Sequence, residues 1–327
     1  MITDRSVTTD DVELHVLDAG PADGPLVVLA HGFPELSYSW RHQIPALAEA
    51  GYHVLAPDQR GYGRSSRPEA VSAYDMAHLN GDLLALIDDA GAERATVVGH
   101  DWGSMVVWQL ALRHPGRLRG VVGMSVPYMP RSVAPPIEML RGIMGDNFFY
   151  MLYFQQPGVA DAELGGDPAR TMRRMLGGVK VDTTDGDAQG EAMARMFAPG
   201  PEGFIDRMPE PDGLPGWLSQ DELDHYIAEF ARTGFTGGIN WYRNLDRNWE
   251  LSADLADAKV EVPSLFIGGA DDPVLVMSPP GAGDEHLTDH RGNVIVPDAG
   301  HWVQQEKPDE VNAALLDFLA GVHQGRP

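Results

Sequence analysis

Short apolar runs bounded by Gly, Pro or Asp recur before Pro127: Leu26–Ala30, Tyr52–Pro57, Ala95–Gly99 and Leu118–Val126. None alternates with polar residues, and continuous aliphatic runs this short predict strands buried on both faces. Between them Ser37–Ala50, Tyr74–Ala90 and Trp102–His114 carry helical spacing, and the second puts Leu79, Leu83, Leu86 and Ile87 on one face. Alternating strand and helix patterns predict a parallel sheet.

The pattern changes after Pro127. As far as Leu255 there is no clean strand signal but much Gly and Pro, and ten of the 14 methionines fall between Met124 and Met208. Alternation then resumes. Val262–Gly268 and Asn293–Pro297 read as two more core strands, and Pro308–Gly321, with Val311, Leu315 and Phe318 at helical intervals, reads as a closing helix. The expectation is one α/β domain, residues 1–128 and 258–327, carrying a mostly helical insertion over 129–257 between its sixth and seventh strands. There is no internal repeat.

Composition narrows the chemistry. A chain of 327 residues buries a full core without disulfides or a structural metal, and its cysteine count is zero. That excludes thiolate metal sites, iron–sulfur clusters and a cysteine nucleophile. With 24 Lys+Arg against 48 Asp+Glu the net charge is −24, which repels nucleic acid and anionic membrane surfaces. Lysine occurs only at Lys180, Lys259 and Lys307, a surface that suits a salt-adapted or a GC-rich source alike. No apolar run approaches the ~18–20 residues of a membrane span. Asp4 stands where a signal peptide needs an apolar stretch. The expectation is a cytoplasmic protein without a membrane partner, and a homodimer stays open.

The sharpest local signal is Val97-Val98-Gly99-His100-Asp101-Trp102-Gly103, an apolar strand that turns at once into a helix. Small residues two before and two after Asp101 are what a very tight strand–helix corner demands. This is the pattern of a nucleophile elbow, with aspartate in place of serine. The helix N-terminus behind it favours a negative charge, so Asp101 is expected to be ionised at neutral pH. The plainer alternative is a strand–helix turn with an N-cap aspartate.

His31-Gly32-Phe33-Pro34-Glu35 follows the Leu26–Ala30 strand, where a backbone N–H is donated to an oxyanion in hydrolases of this architecture. The N–H groups of Phe33 and Trp102 are the oxyanion-hole candidates. A cis bond before Pro34 is sterically open to the turn. Near the end, Pro297-Asp298-Ala299-Gly300-His301-Trp302 presents His301 in a loop, and Gly268-Gly269-Ala270-Asp271-Asp272-Pro273 offers a carboxylate upstream. The order nucleophile, acid, histidine is that of the α/β-hydrolase arrangement.

With these segments in place the sequence resembles a soluble epoxide hydrolase of the α/β-hydrolase fold, over most of the chain. Asp58-Gln59-Arg60-Gly61-Tyr62-Gly63-Arg64-Ser65 belongs to the match, as do Tyr150-Met151-Leu152-Tyr153-Phe154-Gln155-Gln156-Pro157-Gly158 and Asn240-Trp241-Tyr242-Arg243-Asn244 in the insertion. The resemblance implies a mostly parallel sheet flanked by helices, a helical lid, and two lid tyrosines for the epoxide oxygen. By motif position these are Tyr150 and Tyr242, with Tyr153 the competitor of Tyr150 on nearly the same helical face. Asp271 and Asp272 compete as relay acid, and the family spacing counted from Gly269 favours Asp272. Mammalian members carry a further phosphatase domain, and no phosphatase activity is expected here.

The resemblance implies a covalent mechanism. Asp101 would open an apolar epoxide, and His301, oriented by Asp272, would activate water to hydrolyse the resulting ester, with no cofactor and no metal. Phe33, Pro34, Trp102, Phe154 and Trp302 are the expected substrate-facing residues. Two rival readings remain: a haloalkane dehalogenase, which shares the aspartate elbow and the Trp after it, and a ligand receptor that keeps the fold without turnover. Several features read as bland. Gly61-Tyr62-Gly63-Arg64-Ser65-Ser66 lacks the third glycine of a dinucleotide fingerprint. His286 and His290 lack a metalloprotease glutamate between them. His100 is expected to pack or hydrogen-bond beneath the elbow, and the Met- and aromatic-rich insertion, with Phe148, Phe149 and Trp217, suits either a helical core or a deformable cavity wall.

Overall fold

The computed structural model describes residues 1–177 and 194–324; residues 178–193, with Lys180, and the last three residues lie outside that description. Eight strands form one sheet: β1 Ile2–Thr8, β2 Glu13–Ala19, β3 Leu26–Ala30, β4 His53–Pro57, β5 Ala95–His100, β6 Leu118–Met124, β7 Ser264–Gly269 and β8 His290–Val296. Their order is β1-β2-β4-β3-β5-β6-β7-β8. Pairing is antiparallel from β1 to β2 and from β2 to β4, and parallel across the rest.

Every residue of β3, β4, β5 and β7 is buried, which explains their uninterrupted apolar sequences. Successive side chains serve opposite faces. Val28, Val97 and Val121 join one core with α2 (Met76–Asp89) and α3 (Trp102–Arg113), whereas Val27, Val98 and Val122 join a second. On that second face α1 (Gln43–Glu49) contributes Ile44 and Leu47, and the last helix contributes Val311, Leu315 and Phe318.

The structure departs from the pattern-based expectations at the rims. Ser37–Ala50 is not one helix: a 3-10 turn at Ser37–Trp40 precedes α1. The expected Tyr74 start moves to Met76, where Asp75 caps α2 by accepting from the His78 N–H at 3.1 Å. β8 begins three residues before Asn293, because as a sheet edge it exposes Arg291, Asn293 and Ile295 and shows no continuous apolar run. The outer strand β1 has no counterpart among the apolar runs for the same reason, whereas β2, mostly buried, has its apolar run broken by His15 and Asp18. In Ile2–Thr8 only Val7 is buried.

Between β6 and β7 every described element is helical: α4 Pro136–Met144, α5 Tyr150–Tyr153, α6 Val159–Gly166, α7 Pro168–Gly177, α8 Phe204–Arg207, α9 Gln220–Thr233, α10 Thr236–Arg243 and α11 Leu245–Leu251, followed by a 3-10 turn. The longest, α9, starts at a capping box in which the Ser219 N–H donates to Glu222 at 2.8 Å. These helices do not form a separate core. Phe154, Leu223, Phe230 and Trp241 share one apolar cluster with Val28, Val97 and Trp102 of the sheet layer. The chain then closes with α12 Pro273–Met277, β8, α13 Val303–Glu306 and α14 Pro308–Gln324.

The Asp58–Ser65 segment is a loop that fastens the sheet to the helical insertion. A Cβ on Gly237 of α10 would collide with the Gly61 backbone, so helix and loop meet backbone to backbone. Asp58 anchors it, accepting from His15 Nδ1 at 2.9 Å, Ser37 Oγ at 2.7 Å and Arg64 N–H at 3.0 Å. His15 also faces Asp4 through Nε2 at 2.6 Å. Burial works against a charged ring, but hydrogen bonds to the two carboxylates overturn it and raise the His15 pKa above 6.5.

A raised folded pKa stabilises the native state fully below about 6.5 and loses that contribution as pH climbs through the raised value. His15→Gln is therefore expected to cost on the order of 1 kcal/mol in urea denaturation at mildly acidic pH. The gap to the parent protein should narrow as pH is raised. A gap that stays flat or widens with pH would contradict the assignment.

Candidate active site

The corner between β5 and α3 places Asp101 at φ 51°, ψ −118°, a conformation that costs a residue with a Cβ of the order of 1–3 kcal/mol. Its surroundings allow nothing else. A Cβ on Gly99 would strike the Gly103 carbonyl, one on Gly103 would strike the Ala30 carbonyl, and one on Gly32 would sit 2.5 Å from Asp101 Oδ1. Neighbouring backbone pins the corner: the Asp101 N–H donates to Met124 O at 3.1 Å, and Asp101 O accepts the Ser104 N–H at 3.0 Å.

The Asp101 carboxylate is divided between two partners. Oδ1 accepts the Phe33 N–H at 2.8 Å, and Oδ2 lies 3.6 Å from His301 Nε2. The other ring nitrogen of His301 faces Asp272, at 3.0 Å from Oδ2 and 3.1 Å from Oδ1. Asp272 caps α12 through the Val274 N–H at 2.9 Å, and it is the carboxylate of the Asp271–Asp272 pair that meets His301. Trp102 opens α3, so its N–H is one of the helix's unpaired first-turn donors. The Phe33–Pro34 peptide bond is cis.

Burial would raise Asp272, but the His301 charge and hydrogen bonds from His301, Val274 N–H and Ser125 reverse this and hold its pKa below the usual value. His301 shows the complement. Burial would lower it, yet the Asp272 and Asp101 carboxylates raise it well above 6.5.

Two phenols of the helical insertion reach the site. The Tyr150 and Tyr242 rings meet edge to face with centroids 5.7 Å apart. Tyr242 packs edge-on against Trp102 at 4.9 Å and Phe33 at 5.5 Å. Burial raises both phenols, and the charge of Asp101 adds to it, so both stay protonated at neutral pH. Tyr153 looks elsewhere: it neighbours Glu163 and packs on Phe148 at 5.4 Å. Phe154 lies against Phe33, Tyr150 and Tyr242. Trp302 meets the His301 ring edge-on at 4.8 Å, and its indole N–H donates to Met175 O of α7 at 3.3 Å, tying this loop to the helical insertion.

Beneath lies a group with no role in the sequence reading. Glu35 is fully buried and takes His100 Nδ1 at 2.6 Å, Gly32 N–H at 2.9 Å, Gln304 Nε2 at 2.9 Å and Gln305 Nε2 at 3.2 Å. Burial opposes its charge, but the facing His100 above all, with the Gly32 N–H, brings its pKa from 4.5 down to about 2. His100 Nε2 donates to the His301 carbonyl at 2.7 Å. One carboxylate thus joins the Gly32–Phe33 loop, the elbow and the His301 loop. The available signal was a charged residue directly after His31-Gly32-Phe33-Pro34, in a segment otherwise without charge as far as Ser39. Among the described residues no cluster of three or more His, Cys, Asp or Glu could hold a metal. His290 instead contacts Ser264 Oγ and Asn293 Oδ1.

Comparison with known proteins places this geometry in context. Residues 25–308 match the family model described as alpha/beta hydrolase fold. The chain is 62% identical over 320 residues to epoxide hydrolase A of Mycobacterium tuberculosis, covering 98% of each. The crystal structure of epoxide hydrolase A from Mycobacterium thermoresistibile superimposes with a TM-score of 0.94 at 60% identity, over 98% of this chain and 99% of that one. An epoxide hydrolase from an endophytic Streptomyces gives a TM-score of 0.93 at 42% identity, over 99% and 97%.

Removing the Glu35 charge leaves a buried histidine without its counter-ion, which typically costs about 3–5 kcal/mol. Glu35→Gln is expected to lose about that much stability in urea denaturation, where a loss below about 1 kcal/mol would show that the three loops do not depend on this pair.

Proposed function

The chain belongs to the epoxide hydrolase family of α/β-hydrolases, and on that premise we propose that it converts apolar epoxides to vicinal diols through an ester on Asp101. Residues 129–257 act as its lid. The observation that carries this reading is the division of the Asp101 carboxylate, with Oδ1 tied to the Phe33 N–H and Oδ2 turned to His301 below two protonated phenols.

The residue types suit the bonds. A serine attacking an epoxide carbon leaves an ether that water does not readily cleave, whereas a carboxylate leaves an ester that it does. In the first half-reaction an Asp101 oxygen bonds to a ring carbon, the C–O bond breaks, and Tyr150 and Tyr242 donate hydrogen bonds and a proton to the departing oxygen. Their raised pKa values keep the protons in place until a strongly basic alkoxide develops. In the second, His301 takes a proton from water attacking the Asp101 carbonyl carbon, while the Phe33 and Trp102 N–H groups receive the oxyanion. Phe33, Pro34, Trp102, Phe154 and Trp302 line the apolar substrate's path.

Electrostatics time the base. His301 is held high by Asp272 and Asp101 together. Esterification removes the Asp101 charge, so the His301 pKa falls at the step where the ring must be neutral. The same nucleophile would serve a haloalkane, but paired phenols above it favour an epoxide oxygen over a halide.

In a single turnover in heavy-oxygen water the first diol is expected to carry an unlabelled oxygen from Asp101, and solvent label in that first product would refute the ester. Tyr150→Phe and Tyr242→Phe should each slow ring opening by about tenfold. The double variant should slow it by roughly 10³-fold or more, because the remaining phenol no longer compensates. Single and double variants slowing alike would contradict a shared role.

A further inference from the structure

β6 ends in a second strained corner. Ser125 has φ 62°, and the Val126 N–H donates to Met124 O at 2.7 Å across it, a γ-turn of the positive-φ, strained kind. The corner is clamped from every side. Met124 O also receives the Asp101 N–H at 3.1 Å, the Ser125 N–H donates to Ile267 O of β7 at 3.0 Å, and Val126 O accepts Ser104 Oγ at 2.6 Å and Trp108 Nε1 at 3.3 Å. Glycine would adopt this backbone without penalty.

The fully buried serine adds one hydroxyl with two acceptors. Oγ donates to the His301 carbonyl oxygen at 2.8 Å, and the Asp272 carboxylate, 3.0 Å from the His301 ring, is its second neighbour. A hydroxyl has one proton, so it serves one acceptor at a time. The His301 carbonyl keeps the His100 Nε2 donor at 2.7 Å in either case, which leaves the Ser125 proton available to Asp272.

We propose that Ser125 is a positioning residue for the second half-reaction: its hydroxyl, bonded to the His301 carbonyl and turned in exchange to the neighbouring Asp272 carboxylate, keeps the two in register, so that His301 is aimed at the attacking water. The proposal rests on the ester mechanism above. Ser125 sits on the relay side of the site, and its backbone already receives its own hydrogen bonds, so ring opening by Asp101 does not draw on the hydroxyl.

The test is a rapid-quench single turnover of the parent protein, Ser125→Ala and Ser125→Gly, following formation and breakdown of the ester separately. Both variants are expected to form the ester within about twofold of the parent rate and to break it down about tenfold more slowly, so that it accumulates. Ser125→Gly, whose backbone suits φ 62°, keeps the test usable if the alanine variant folds poorly. A merely structural role would slow both steps together or restore breakdown in the glycine variant, and either result overturns the proposal, as does breakdown at the parent rate. A parent protein that forms no ester overturns the mechanism itself, and the two failures are thereby told apart.

Discussion

The backbone of Asp101 is the constraint on which the rest of the site depends. Held at φ 51° between Gly99 and Gly103, it lifts a carboxylate off the end of β5 to where the Phe33 N–H meets Oδ1. Each neighbouring element accommodates that corner. The Ala30 carbonyl leaves room only for glycine at 103, Gly32 leaves room for the carboxylate, and Met124 supplies the acceptor for the Asp101 N–H. Strain of this kind persists only where the surroundings over-determine it. Here they do so from β3, β6 and α3 at once.

Charge is organised around that corner in two tiers. Above, His301 stands between Asp101 and Asp272, and its elevated pKa depends on both. Below, the Glu35–His100 pair is sealed from solvent and reaches the His301 carbonyl, so the loop carrying the histidine is tied to the loop carrying Phe33 through buried hydrogen bonds. Buried ions of this sort are tolerated only when their hydrogen-bonding capacity is filled, and Glu35 receives four donors. The phenols complete the arrangement from the helical insertion. Because α5 and α10 share one apolar core with the sheet layer, their position over Asp101 is set by the same packing that holds the strands.

Much of this was legible in the chain, for identifiable reasons. Strands buried on both faces write themselves as unbroken apolar runs, and a corner too tight for a Cβ writes itself as Gly99-x-Asp101-x-Gly103. Hence the central sheet and the cluster of Asp101, His301 and the acid after β7 could be located before any coordinates. Elements at the rim could not. Edge strands β1 and β8 face solvent and carry no continuous apolar signal, and in the buried β2 His15 and Asp18 interrupt it. The described part of the insertion is cut by Gly and Pro into pieces as short as four residues, Tyr150–Tyr153 among them, in which periodicity has no room to appear. Adjacent candidates such as Asp271 and Asp272, or Tyr150 and Tyr153, differ only in which way the side chain points. Glu35 and Ser125 were invisible for a different reason. One owes its place to partners far along the chain at His100, Gln304 and Gln305, the other to a backbone angle that nothing in its own residue type announces.

The central claim is that Asp101 becomes esterified to the substrate. The most direct measurement is peptide mass spectrometry of acid-quenched His301→Gln protein after exposure to styrene oxide, since the base required for release is then missing. The account predicts that the peptide containing Asp101 gains the mass of the epoxide. An unmodified Asp101 peptide alongside continuing diol production, or an adduct confined to some other residue, would contradict it.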